Sequence, residues 1–312
     1  MSLIQSLLHI TDFRGGPFAA NLVPAASSAL AVQLAFGIPS VLAHTDMFYD
    51  FSGGWTFLLT LASSFFLPAL RSSSSSSSSG ISLADFSWRQ LAMTGGVLVY
   101  AVRLSSFLFM RILKKGHDSR FDETKHKPSR FFIFWIAQAV WVIMCCMPII
   151  AINAVPQAAL KAIPSVLPTD VLGLGLFLAG FAVEIVADSQ KSKWYDEKIK
   201  KIHDEQFITR GIWSKSRYPN YFGDITLWIG MATAAAGVLT SGPVQVALGW
   251  SGISGLIKGA LLPYMAPAFV AWALLRISGV PLSEAKYDKL FGDRKDYREW
   301  RNNTPLLVPR IF

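Results

Sequence analysis

Seven stretches of the chain are apolar for long enough to cross a bilayer, and hydrophilic segments separate them. A spanning helix needs about 20 mostly apolar residues. The runs that qualify are 22–43, 54–70, 91–111, 131–153, 171–188, 221–240 and 255–276. Lipid offers an unpaired backbone no other partner, so each run is expected to be helical. The second run is short, and the Gly-rich stretch 241–262 blurs the border between the last two. The pattern predicts an all-α, polytopic integral membrane protein of about seven transmembrane helices.

Composition agrees. Of 312 residues, 52% are hydrophobic and only 16% are charged, where a soluble domain carries about a quarter charged residues. The net charge of +9 would suggest nucleic-acid binding in a soluble protein. Here the positive residues cluster between apolar runs, where they set orientation instead, and no nucleic-acid partner is expected. Lys and Arg number seven in 111–130, eight in 189–217 and eight in 276–310. These segments follow the third, fifth and seventh runs, so they share one face. The other face has only Arg14, Arg71, Arg89, Lys161 and Lys258. That bias predicts an external or lumenal N-terminus and a cytosolic C-terminus. The opening MSLIQSLLHITDFRGG lacks the charged start and long apolar core of a cleaved signal peptide, so the first span is expected to direct insertion.

Ser72–Ser79 is a run of eight serines that cannot bury apolar surface. It predicts a flexible lumenal linker over 72–90, between a two-helix segment (1–71) and a five-helix domain with a basic tail (91–312). Cys145 and Cys146 are adjacent and so poorly placed to bridge. The five histidines are scattered without zinc spacing, and no metal site is expected. No Gly-x-Gly-x-x-Gly follows a strand, and there is no P-loop, Gly-x-Ser-x-Gly elbow or HExxH.

Candidate chemistry gathers at GIWSKSRYPNYFGDITLW, residues 211–228. Pro219 suits the first helical position, and Ser216 suits a cap just upstream. A helix start with Arg217 beside it is a natural place for an anion. Asn220, Tyr221 and Asp224 then share a helical face. Interfacial anchoring by Arg, Tyr and Trp is the simpler account of the same residues. In the fifth run, Glu184, Asp188 and Lys191 fall at i, i+4 and i+7 near its end. Carboxylates there can accept from ribose hydroxyls or an adenine amine, whereas an ordinary helix end with an internal Asp188–Lys191 pair needs no ligand. Arg210 is a further phosphate candidate. Arg103 lies inside the third run, where a charge costs a few kcal/mol and marks either function or a structural pair. Gln138 in the fourth run suits a hydrogen bond between helices. The tail carries Tyr287, Tyr297, Arg298, Trp300 and Arg301, able to close over a ligand or to rest on anionic lipid.

The GIW-x-x-SRYPNYFGD element, EIVADSQKSKW upstream and the Tyr/Trp-rich basic tail together resemble the steroid 5α-reductase C-terminal domain family. The likeness is greatest to its 3-oxo-5α-steroid 4-dehydrogenase-like multispanning branch, and covers roughly residues 98 to 310. It takes in Arg111, Asp118 and Arg120, the Glu284 position and the final Thr-Pro. A related R-H-P-x-Y-x-G signature occurs in isoprenylcysteine methyltransferases. The resemblance implies a cytosol-facing cavity that binds NADPH through Glu184, Asp188, Lys191, Arg210, Arg217, Asn220, Tyr221, Asp224, Tyr297 and Arg298. It implies reduction of a conjugated C=C bond in a lipophilic, steroid-like or other enone lipid; the endoplasmic reticulum fits such a substrate and the absence of a transit signal. The proton donor stays open among Tyr49, Tyr100 and Tyr221. The alternatives are an S-adenosylmethionine-dependent methyltransferase acting on a lipid-linked thiol, and a non-enzymatic lipid-binding protein.

Overall fold

The computed structural model describes residues 15–74, 82–116, 118 and 120–310. The serine run beyond Ser74, Arg14 and His117 lie outside them. All regular structure among the described residues is helical. The long helices are α1 (Gly16–Leu42), α2 (Tyr49–Ser74), α3 (Trp88–Lys115) and α4 (Pro128–Asn153). After the short α5 (Gln157–Lys161) come α6 (Pro168–Ile199) and α7 (Pro219–Leu239). The C-terminal part is broken into α8 (Gly242–Ala247), α9 (Gly252–Leu261), α10 (Met265–Arg276), α11 (Val280–Phe291) and α12 (Lys295–Asn303). Among the described residues, seven helical stretches are long and apolar enough to span a membrane, the last being the compound segment Gly252–Phe291. The chain is an integral membrane protein.

The helices begin earlier than the apolar runs do, because their first turns are polar. α4, α6 and α7 each start on a proline, whose missing N–H costs nothing there and whose φ is already helical. α3 starts on a capping box: the Ser87 hydroxyl accepts from the Arg89 N–H, and the Gln90 side chain accepts from the Ser87 N–H at 3.1 Å. Two differences from the apolar pattern matter. α6 continues eleven residues past 188, to Ile199, and ends in a Schellman turn. Lys201 there takes φ 54°, and the Ile202 N–H donates to the Glu197 carbonyl at 3.0 Å. The last apolar run is not one helix: a 3₁₀ turn at Leu262–Tyr264 divides it, where Pro263 cannot donate. The short second run becomes a helix of 26 residues, Tyr49–Ser74, because it extends at both ends, over 49–53 and 71–74.

The chain divides into two compact units. The first runs to Thr169 and resumes over Ala235–Ala266. In it α1, α2 and α4 pack tightly together, with α3 against α2. Gly37 on α1 lets Trp135 of α4 approach, for a Cβ there would sit 2.8 Å from the indole. The same ring meets Tyr49, whose hydroxyl donates to the Phe134 carbonyl at 3.1 Å. Gln138 bridges two helices as its pattern predicts, accepting from the Ser52 hydroxyl at 3.3 Å.

The second unit takes Asp170–Ala234 and Pro267–Phe312. Its frame is an antiparallel contact between α6 and α7 made by four glycines. A Cβ on Gly223 would lie 2.6 Å from the Gly180 carbonyl oxygen and 2.7 Å from the Glu184 nitrogen. One on Gly173 would lie 2.6 Å from the Gly230 carbonyl oxygen. Two helices in lipid gain little from the hydrophobic effect, so such backbone proximity supplies the packing instead.

Candidate functional site

The Gly-Ile-Trp element is a latch. Gly211 takes φ 64°, a left-handed conformation that strains any other residue. The turn so formed lets the Ile212 N–H donate to the Gln190 side chain at 3.0 Å. Trp213 then lies buried against Ala187 and Trp194, its indole N–H donating to the Ala187 carbonyl at 3.0 Å. Lys191 rests over the Trp213 ring, 4.7 Å from its centroid. The segment before α7 is thus pinned to the end of α6.

Ser216 does not cap α7. Its hydroxyl accepts from the Tyr218 N–H and donates to the Leu307 carbonyl at 2.8 Å. The Tyr218 carbonyl receives the first helical bond, from Phe222 at 3.1 Å, so Tyr218 holds the cap position and Pro219 the first turn.

Around this helix start lies a dense polar cluster. Glu284 of α11 accepts from the Arg217 guanidinium at 2.6 Å, from the Tyr218 hydroxyl at 2.6 Å and from Arg301 at 3.1 Å. Arg301 also meets Asp288 at 2.7 Å, and the Tyr297 hydroxyl donates to the same carboxylate at 3.2 Å. Tyr221 stacks on Tyr218 with ring centroids 5.3 Å apart and planes 5° from parallel. Its ring also fills the space a side chain at Gly279 would take. Two arginines against two carboxylates leave the cluster without net charge, provided the tyrosines stay protonated. They do: burial first, then the hydrogen bond to Glu284 and its charge, hold the Tyr218 hydroxyl far above its ordinary range. Burial, with the charge of Asp288 next, pushes Tyr297 up to about 12.

Of the residues expected to bind a ligand, Glu184 and Asp188 are buried, 4% and 8% exposed. The Gly223 contact sets the backbone of Glu184 directly against α7, between Asn220 and Asp224 in sequence. Asp224 accepts from the Trp228 indole one turn on, at 3.0 Å. The buried polar atoms here with no hydrogen-bond partner include the Arg217 Nε and the Asn220 Oδ1. Tyr297 is buried in the cluster, whereas two arginines are engaged elsewhere. Arg210 pairs with Glu197 and, at 3.6 Å, with Glu205. Arg298 is exposed and reaches the Asp293 carbonyl. Arg217, a phosphate candidate from its place at the helix start, has a carboxylate as its nearest charge, Glu284 at 2.6 Å. Tyr218, Asp288 and the pairing of Arg301 carry no such mark in the sequence taken residue by residue. Glu284, Tyr287 and Asp288 at i, i+3 and i+4 are the signal that marks that face of α11.

In the first unit, Arg120 binds Asp118 at 2.6 Å and Asp50 at 3.1 Å, and the Asp118 N–H donates to Asp46 at 2.6 Å. Arg111 lies 3.6 Å from Asp50. The element after α3 is thereby tied to the start of α2. Burial opposes ionisation of Asp118, but the hydrogen bonds and charge of Arg120, with Arg111, hold its carboxyl below the usual range. Arg103 lies over the Phe107 ring at 5.3 Å. No group of three or more His, Cys, Asp or Glu among the described residues is arranged to hold a metal ion.

Over residues 38–304 the chain matches a protein family of unknown function, DUF1295. The chain belongs to the DUF1295 family. The match reaches back through all of α2 and the last turn of α1, well before residue 98, and it covers the polar cluster up to Thr304. DUF1295 is a family of membrane proteins, in keeping with the seven spanning stretches. No curated protein and no solved structure matches the chain.

Proposed function

We propose that this DUF1295 protein is a membrane oxidoreductase that reduces a conjugated C=C bond of a lipophilic enone with NADPH. The observation that carries the reading is the convergence of the Arg217–Asp224 helix start with the buried carboxylates of α6, with an orphaned donor and an orphaned acceptor between polar neighbours. Buried polar atoms are nearly always satisfied, so Arg217 Nε and Asn220 Oδ1 ask for a ligand that both accepts and donates. A dinucleotide, with phosphate oxygens, ribose hydroxyls and a carboxamide, has that chemistry, and the donor set fits it without a nucleotide-binding sheet.

Arg217 would hold an anionic oxygen through Nε while Glu284 keeps its Nη1 side fixed. Asn220 would accept from an amide or hydroxyl. Glu184 and Asp188 would accept from ribose hydroxyls. When bound, NADPH supplies the hydride. The network through Glu284 and Arg301 holds Arg217 and Tyr218 in place, so little reorganisation accompanies binding. Tyr49 is a poor proton donor because its hydroxyl is committed to the Phe134 carbonyl, which leaves Tyr100 and Tyr221 open. The one-sided distribution of Lys and Arg supports a cytosolic C-terminus, and a lipid substrate supports the endoplasmic reticulum.

Thermal unfolding of the detergent-solubilised protein tests this. NADPH is expected to raise Tm in a concentration-dependent way, and to do so far less in Asn220→Leu. Stabilisation by S-adenosylmethionine and none by NADPH would instead establish the methyltransferase reading. A shift with neither would favour a lipid-binding protein that is not an enzyme.

A further inference from the structure

Where α1 ends and α4 begins, the first unit has an open groove that the proposed reaction does not use. Ile38, Val41 and Leu42 line one wall and Pro128, Ser129 and Phe132 the other, around a space of about 290 Å³. Ser129 is the single polar side chain among them. The floor is fixed, because Val41 and Phe132 pack in one cluster with Phe131 and Trp135. The walls stay open: Ile38 is 50% exposed and Leu42 76%. Both walls are terminal turns of spanning helices, so the groove lies where hydrocarbon gives way to headgroups.

The protein does not balance the charges beside this groove. Other cations near it are committed to acids. Arg111 and Arg120 face Asp50 and Asp118, and Lys125 lies 3.6 Å from Asp122. Lys127 and Arg130 bracket Pro128 and Ser129 in sequence, and both are exposed. Among the described residues, neither has an acid within ion-pair distance or a side-chain hydrogen bond.

We propose that the groove binds one anionic phospholipid, with an acyl chain between α1 and α4 and the phosphate held by Lys127 and Arg130. A chain alone fills the trough whatever headgroup it carries, since lipid tails are as apolar as these side chains. Selectivity therefore comes from charge. Arg130 offers a planar fork to phosphate oxygens, and Lys127 meets them as a point charge. A basic residue near anionic lipid gains about five-fold in binding. The phosphate of a zwitterionic lipid recovers part of that gain but brings its own cation, so the pair should prefer an anionic lipid by about tenfold. The one-sided Lys and Arg pattern supports placing this end at the cytosolic leaflet, which is the anionic one. A second copy of the chain is the competing occupant. In a two-fold pair the same patch faces itself, so it would set these cations against their like.

Native mass spectrometry of the full-length, delipidated protein tests this, with dioleoyl phosphatidylglycerol and dioleoyl phosphatidylcholine as probes. One phosphatidylglycerol is expected to bind about tenfold more tightly than phosphatidylcholine. Lys127→Gln with Arg130→Gln should erase the difference. Lys286→Gln with Lys289→Gln removes the same charge from exposed positions on α11 and should preserve it. Leu42→Trp fills the trough and should weaken both lipids. Equal loss in the two double variants would overturn the proposal, because diffuse attraction would then suffice. So would undiminished binding in Leu42→Trp, or competition by sn-glycerol 3-phosphate, the mark of a site for a free anion. A dimer that Leu42→Trp dissociates would give the groove to a second copy instead.

Discussion

Gly223→Ala is the sharpest probe of the second unit. The added Cβ would lie 2.6 Å from the Gly180 carbonyl oxygen, 2.7 Å from the Glu184 nitrogen and 3.2 Å from its Cα. Ordinary contacts begin near 3.4 Å, so the helices must separate locally by several tenths of an ångström. The obstructing atoms are backbone and cannot rotate aside. Overpacking of this kind costs about 1–3 kcal/mol. Against it, alanine is about 1 kcal/mol better than glycine within a helix. The net expectation is a loss of up to about 2 kcal/mol, by subtraction of the two effects. Gly175→Ala is the control: on α6, with no atom within 4 Å of the new Cβ, it gains the propensity term alone and should stabilise. Thermal unfolding of both variants in one detergent reads the contrast. Because Glu184 is one of the displaced groups, Gly223→Ala should also weaken NADPH protection, whereas Gly175→Ala should not. Equal Tm values for the two would refute the close-approach argument.

Other expectations follow from the same geometry. Glu284→Gln leaves Arg217 and Arg301 facing a neutral amide; for a largely buried pair the loss should approach about 3 kcal/mol, and adding Arg217→Met should recover part of it, read by chemical denaturation as a double-mutant cycle. Gly211→Ala forces a left-handed alanine, at about 1–2 kcal/mol, and meets the Gln190 side chain as well; adding Gln190→Ala should relieve the collision but strand the Ile212 N–H, so thermal unfolding of the double variant should still fall below wild type. Asp118 has a folded pKa below its unfolded one, so its contribution is fully present above about pH 4 and is lost as pH falls through the lower folded value. A wild-type Tm profile should therefore decline more steeply on acidification than that of Asp118→Asn.

The spanning helices were legible because lipid demands long apolar runs and nothing else in the chain resembles them. The break in the last span was written in Pro263, yet an averaged apolar run conceals it. Pro219 placed the start of α7 correctly. The partner of Arg217 was not visible, because Glu284 lies 67 residues away and only folding joins them. Nor was the extension of α6 beyond 188, where Lys, Gln, Trp and Tyr keep the helix going after the apolar pattern stops. The buried hydroxyl stripe on α2 is present in the sequence as Ser52, Thr56, Thr60 and Ser64, but small hydroxyl residues scattered in an apolar run carry little weight in a hydropathy scale.

The interval from Gly173 to Gly180 equals that from Gly223 to Gly230, seven residues in each helix. Two antiparallel rods touching at matched intervals behave like a vernier: they mesh at one offset and jam at the neighbouring ones. Inserting a single residue inside either interval would swing one glycine about 100° out of line, and the mouth of α7 would lose its alignment with the acids of α6. Chain length can therefore drift in the loops of this protein, but not between those glycines.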